Sequence, residues 1–241
     1  MEVADYVRHL RTDGQALAAA ARRNLEAAVP SCPGWTVGDL VFHTGAVHRE
    51  KTLIVERGLE NQPEWESPED LDDEHLVEWF EEGLEELAQV LETSDPNQPA
   101  WNWTSHAPQI AAFWPRRMAH ETSIHRWDAE AAVGAPNPID SDLAADGVDE
   151  FLFVHMPEEE NHPPLDATVH LHRTDGPGEW FVRLEASDVN VTKEHKKGDV
   201  AVRAPASDLV LLLWRRIGPG DVEVLGDYGV AEKFLRWVDL T

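Results

Sequence analysis

The segment RRMAHETSIHRWDAE, Arg116 to Glu130, concentrates metal-ligating and acid–base side chains. Two histidines around a glutamate suggest a zinc-protease helix, but that motif, H-E-x-x-H, spaces its histidines four apart. His120 and His125 are five apart. On a helix they point about 140° away from each other and cannot share one ion. Glu121 and His125 are four apart, and neighbours at that spacing lie on one face. Asp128, three residues further, falls on the same stripe. The usable face therefore reads Glu121, His125, Asp128. A glutamate and a histidine make two thirds of a two-histidine, one-carboxylate metal site. A second histidine has to come from another element. The competing reading is a helix surface with a few polar residues.

His43 and His48 are the upstream candidates, also five apart and so on different faces. His43 sits among Leu40 and Val47, near an inward stripe, while His48 beside Arg49 and Glu50 is expected at the edge. Asp39 could pair with His43, but Thr36 three residues earlier marks a helix start, and capping is its preferred role. Spacing alone leaves His43 open between a third ligand and a histidine of the core. Asp128 is equally open: it either accepts a ligand histidine's free N–H or bridges to Arg117 or Arg126. Arg116 and Arg117 either hold an anionic substrate or balance nearby carboxylates. Cys32 is the lone cysteine, so no internal disulfide can form. Its flanks offer no base, and a structural role is expected. No G-x-S-x-G motif is present. Among Trp101, Trp103, Trp114 and Trp127, core packing is the expected job of most, and the Trp101-Asn102-Trp103 loop is the candidate for substrate contact.

The elements that must position these residues read as follows. Apolar residues at helical spacing and an alanine run predict a helix over 2–28. Pro30 and Cys32-Pro33-Gly34 break it. Further helices are predicted over 37–57, 74–93 and 115–133, with loops over 59–73 and 94–109, which suggests a four-helix bundle. The pattern then changes. A helix is expected over 140–155, and after the Asn161-His162-Pro163-Pro164 turn come alternating runs, DATVHLHR, EWFVRLE, DVNVTK and DVAVRAP, with the period of strands. SDLVLLLWRR and GVAEKFLRWV read as helices, with a short strand, DVEVLG, between them. The fold class is α+β: a bundle over 1–136, then a small α+β domain over 137–241, with the boundary near Pro136 to Asp140.

Composition narrows the partners. The 241 residues suit one large or two small domains. Acidic residues outnumber basic ones 46 to 20, a formal net charge of −26. Such a chain repels phosphate backbones and anionic lipid, so neither nucleic acid nor a membrane surface is an expected partner. The N-terminus lacks a signal pattern, and no apolar run reaches membrane-span length, so the expected compartment is the cytoplasm. Composition leaves the oligomeric state open.

CPGWTVGDLVFHTGAVHR followed by AFWPRRMAHETSIHRWDAEAAVG resembles the mycothiol-dependent maleylpyruvate isomerase family, part of the wider DinB-like group of metal-binding bundles. VRAPASDLVLLLWRR is similar to that family's C-terminal domain. The resemblance implies a DinB-like four-helix bundle that binds a divalent metal, usually zinc, through positions matching His43, Glu121 and His125. It leaves His120 out. It implies mycothiol as thiol cosubstrate and a small-molecule electrophile as partner. Three protein ligands leave an open position on zinc, and a thiol entering there becomes thiolate. Added to a conjugated double bond, the thiolate allows rotation and leaves in an isomerase; in a transferase it stays attached. Asp128, Arg117 and Trp103 are the candidates for supporting the ligands or meeting the substrate. Two other classes fit the same residues: a zinc hydrolase that activates water, with His120, His48 and His106 left as possible bases, and a non-catalytic binding protein for metal or a small molecule.

Overall fold

The computed structural model describes residues 1–64, 71–134, 136–159, 165–185 and 188–240. The middle of the 59–73 loop and the Asn161–Pro164 turn lie outside the described residues. By contact density the chain divides into one unit of residues 1–103 and 107–137 and a second of 104–106 and 138–241.

The described part of the first unit holds four α-helices: α1 Val3–Ala21, α2 Val37–Arg57, α3 Asp73–Thr93 and α4 Trp114–Ala132. Helix α2 begins where the sequence places it. The Thr36 hydroxyl accepts from the Asp39 N–H at 3.2 Å, and the Asp39 carboxylate accepts from the Thr36 N–H at 2.8 Å. This reciprocal cap satisfies two orphan helix donors and holds the Asp39 carboxyl below its ordinary range. It also fixes Asp39 as a cap rather than a ligand.

Helix α1 is shorter than the 2–28 predicted from its periodicity. It ends at Ala21, and the Asn24 side chain accepts from the Glu26 N–H at 3.1 Å, a local turn that competes with helix. The following residues pair with the approach to α2: Gly38 N–H donates to Leu25 O and Val29 N–H to Trp35 O. Leu25 O, Ala27 O and Val29 N–H are thus taken by the approach to α2 and not by helix.

Helix α1 packs on α4 and α3, and α2 packs on α3 and α4. Val7, Leu10, Leu17, Leu40, Ile54, Phe80, Leu87 and Trp114 form the buried centre. A Cβ at Gly45 would run into the Trp79 ring, so that glycine sets the closeness of α2 to α3.

In the second unit, α5 Ser141–Glu150 runs into a π turn, Phe151–His155, covering the span read as one helix. Strands β1 Ala167–Arg173, β2 Glu179–Glu185, β3 Asp188–Thr192, β4 Val200–Ala204 and β5 Glu223–Gly226 form a sheet in the order β3-β2-β1-β4-β5. Only the β1–β4 pairing is parallel. Helices α6 Ala206–Leu213 and α7 Tyr228–Leu235 pack on β1 and β4. Alternation sends Val169, Leu171, Trp180, Val182, Leu184, Val200 and Val202 into the core. The residues between them face the other way. The chain is therefore α+β, as its pattern predicts. No helix among the described residues is long and apolar enough to cross a membrane.

Candidate metal centre

Helix α4 presents Glu121 and His125 one turn apart, with His125 Nε2 3.2 Å from Glu121 Oε1. Helix α2 brings His43 to the same carboxylate oxygen, at 3.8 Å. The two imidazole rings meet edge to face at 5.3 Å. One potential ligand atom from each of the three residues lies within 4.8 Å of those from the others. Side-chain exposure falls from 39% at His43 through 20% at Glu121 to 11% at His125. The constellation is thus open on the His43 side and closed behind His125. Trp35 packs against His43 with ring centroids 5.0 Å apart. Two imidazoles and one carboxylate with an open side suit a divalent ion of the zinc class.

The surroundings hold His125 and Glu121 in place. His125 Nδ1 donates to Asp128 Oδ2 at 3.1 Å, and the Ser31 hydroxyl donates to Asp128 Oδ1 at 2.6 Å. Asp128 is fully buried. It accepts the His125 Nδ1–H, and Arg126 reaches Asp13 Oδ1 at 3.0 Å and Glu130 Oε2 at 2.9 Å. Arg117, also buried, donates through Nη2 to Glu121 Oε2. Oε1 is left facing the two histidines.

The electrostatics follow from these contacts. Burial works against a charged His125, but the Glu121 charge and the hydrogen bonds to Asp128 and Glu121 outweigh it and raise its pKa to about 9. Burial likewise opposes ionised Glu121, yet His125 and Arg117 hold its carboxyl well below the usual range.

The remaining candidates lie elsewhere. His120 is buried edge-on to Tyr6 of α1 at 6.2 Å, on the side that helical phase assigns it. His48 does not sit at an edge. It is fully buried, its Nε2 2.9 Å from the Thr122 hydroxyl and its ring 5.5 Å from Phe80. The edge expectation fails because α2 is covered by α3 and α4 together, and the flanking Arg49 escapes only by reaching to Glu86 and the Trp79 carbonyl. Desolvation lowers the His48 pKa to about 3, and its Nδ1 has no hydrogen-bond partner among the described residues. His106 belongs to the second unit, 3.8 Å from Glu158. Trp114 is fully buried, whereas Trp103 is 38% exposed, with its ring 6.0 Å from the Arg117 guanidinium. Asn102 pins that loop, donating to Pro108 O at 2.9 Å and pairing with Gln109. Ser31 is the contributor that the sequence reading missed. It lies 97 residues from Asp128, and no local pattern links them.

No curated protein matches the chain significantly. Two crystal structures share its fold at a TM-score of 0.63, each alignment covering 93% of both chains. One is described as the mycothiol-dependent maleylpyruvate isomerase, 14% identical, and the other as a mutant of it, 11% identical. Two family models also match: the mycothiol maleylpyruvate isomerase N-terminal domain over residues 7–130 and the MDMPI C-terminal domain over 142–233. The first takes in His43, Glu121 and His125 and spans more than half of the sequence, so this chain belongs to the mycothiol maleylpyruvate isomerase family of enzymes.

Proposed function

We propose that His43, Glu121 and His125 hold one divalent metal ion, zinc by preference, and that the enzyme uses it to activate mycothiol toward a small electrophile. The observation that carries this reading is the convergence of a histidine from α2 on the Glu121–His125 pair of α4, with ligand atoms within 4.8 Å of one another. When bound, the ion supplies positive charge at an open position, where a thiol loses its proton.

The chain's own residues supply positioning. Asp128 accepts the His125 Nδ1–H at 3.1 Å, which orients the ring so that Nε2 is the nitrogen that would give up its proton to a metal at the centre. Ser31 holds Asp128 from the far side. Arg117 takes one oxygen of Glu121 and so presents the other. The exposed flank of His43, beside Trp35, is the approach for thiol and electrophile. Trp103, half-exposed next to Arg117, is the candidate for contact with the electrophile. A substrate anion would compete with Glu121 for Arg117, so Arg117 is assigned to holding the ligand.

The zinc-loaded protein is assayed against a panel of electrophiles with and without mycothiol, and products are followed by NMR. Turnover should need both metal and thiol. Recovery of free thiol marks an isomerase, and retained sulfur a transferase. His43→Ala and His125→Ala should each lower metal content sharply, whereas His120→Ala should not. With cobalt in place of zinc, mycothiol should produce a sulfur charge-transfer band in the near ultraviolet. Turnover without thiol, or an accessible cobalt site that ignores millimolar thiol, would replace this reading with a metal-activated water.

A further inference from the structure

A second cluster of ligating side chains stands on the sheet of the C-terminal unit. His170 and His172 are two apart on β1, so both project from the face opposite the buried Val169 and Leu171. Glu179 on β2 lies directly across from His172 in the antiparallel register. The loop after β3 adds His195. Glu179 Oε1 lies 2.6 Å from His172 Nδ1 and 3.1 Å from His195 Nδ1, and Oε2 meets His170 Nε2. The three rings approach one another edge to face, with centroids 5.0 to 6.2 Å apart. One ligand atom from each of the four residues lies within 4.8 Å of the other three.

We propose that His170, His172, Glu179 and His195 form a second divalent-metal site, of the zinc class, that clips the loop following β3 onto the open face of the sheet. The three ring nitrogens that face the carboxylate are the atoms that, as neutral lone pairs, would face an ion in the same space. Imidazole nitrogen with one carboxylate suits zinc and its transition-metal neighbours, not calcium or magnesium, which take oxygen ligands. Zinc bonds of about 2.0–2.1 Å place tetrahedral donors roughly 3.3 Å apart, so donors at the 4.8 Å limit need to close by about 1.5 Å. Four protein donors make a closed site, the structural kind. Ala201, beside His170 on β4, carries too little bulk to fill the space, and the cluster opens on a cavity of about 560 Å³. Of the cations lining the cavity, Lys196 pairs with Glu194 and Arg203 with Glu223 at 2.8 Å, and Lys197 stands beside them. The sequence signal was available as an H-x-H inside an alternating strand, but its partners come from the next strand and a separate loop.

The test uses the full chain with the bundle site disabled, His43→Ala/His125→Ala, stripped by chelator and titrated with zinc by calorimetry and with cobalt by absorption. One equivalent should bind, with the intense visible bands of four-coordinate cobalt. Adding His172→Ala and His195→Ala should abolish that equivalent, with circular dichroism confirming the fold. His195→Ala alone, in a side chain 75% exposed, should weaken binding at least tenfold without threatening the fold. Zinc should also slow tryptic cleavage at Lys193, Lys196 and Lys197. A bundle-disabled chain that binds no ion overturns the site, as does binding that survives the His172/His195 change; unaltered cleavage overturns the clip. If the unsubstituted chain binds one ion and His43→Ala/His125→Ala removes it, the sheet site falls and the bundle site stands. If the single ion survives that change and is lost with His172/His195, the reverse holds.

Discussion

Asp128 illustrates how much a residue can do from behind a proposed metal ligand. It is fully buried, holds His125 Nδ1 at 3.1 Å and is itself held by Ser31. Loss of such a partner typically weakens metal binding by about 10–100-fold. Asp128→Asn should therefore lower zinc affinity by that factor in a chelator competition, with the fold retained; unchanged affinity would remove its positioning role. His48 makes a separate prediction. Its ring is held neutral, with its pKa lowered from 6.5 to about 3. The unfolded chain takes up a proton below pH 6.5 that the folded chain refuses until about pH 3. The contribution is therefore intact above pH 6.5 and is lost progressively as pH falls through that window, by at most about 1.4 kcal/mol per pH unit. The His48 ring resonances should stay flat from pH 7 to 4, and His48→Gln should flatten the acid limb of the stability curve. A ring titrating near pH 6 would contradict its burial.

Two contacts between helices determine whether α2 and α4 meet correctly. Gly45 lets α2 approach α3, because a Cβ there would enter the Trp79 ring. Overpacking a well-filled contact costs about 1–3 kcal/mol, so Gly45→Ala should lower the denaturation midpoint accordingly and loosen the His43 ligand with it. A midpoint unchanged by the extra methyl would mean that Trp79 can swing aside. On the other flank, Arg126 of α4 binds Asp13 of α1 at 3.0 Å in a buried setting, and also Glu130. Burial already raises the Asp13 pKa against the pull of Arg126. Arg126→Ala leaves buried carboxylates without their cation, a change worth about 3–5 kcal/mol. Urea denaturation should register that loss, and a shift under 1 kcal/mol would show that water reaches the pair.

The whole molecule carries a net charge of −26 on 241 residues. Like charges at that density repel in the compact state, and salt screens them over about 10 Å at 0.1 M. The melting temperature should rise between 10 mM and 0.5 M sodium chloride, in the presence of a fixed zinc concentration. A fall would mean that ion pairs such as Arg11 with Glu85 and Glu92 outweigh the general repulsion. The same field favours cations over anions near the surface, which favours loading both proposed metal sites.

Local periodicity decided a good deal. Thr36 and Asp39 announce the start of α2, and the structure caps it there. The four-residue interval puts Glu121 and His125 on one face and His120 on another, which follows from 3.6 residues per turn and needs no knowledge of neighbours. Alternation in ATVHLHR made β1 legible as a strand. What the sequence left open were distances between elements. His43 could have been a core histidine, and only the packing of α2 beside α4 brings it 3.8 Å from Glu121. His48 was expected at an edge because its chain neighbours are charged, yet the bundle buries it between Phe80 and Thr122. The predicted α1 overruns Ala21 by seven residues because the residues beyond it keep apolar spacing, while Leu25, Ala27 and Val29 hydrogen-bond to the approach to α2. Ser31 reaches Asp128, and His195 reaches Glu179, across loops whose course no short-range pattern records. Backbone period is a property of consecutive residues, whereas which faces meet depends on how whole side-chain surfaces fit, and that is settled only when the chain is packed.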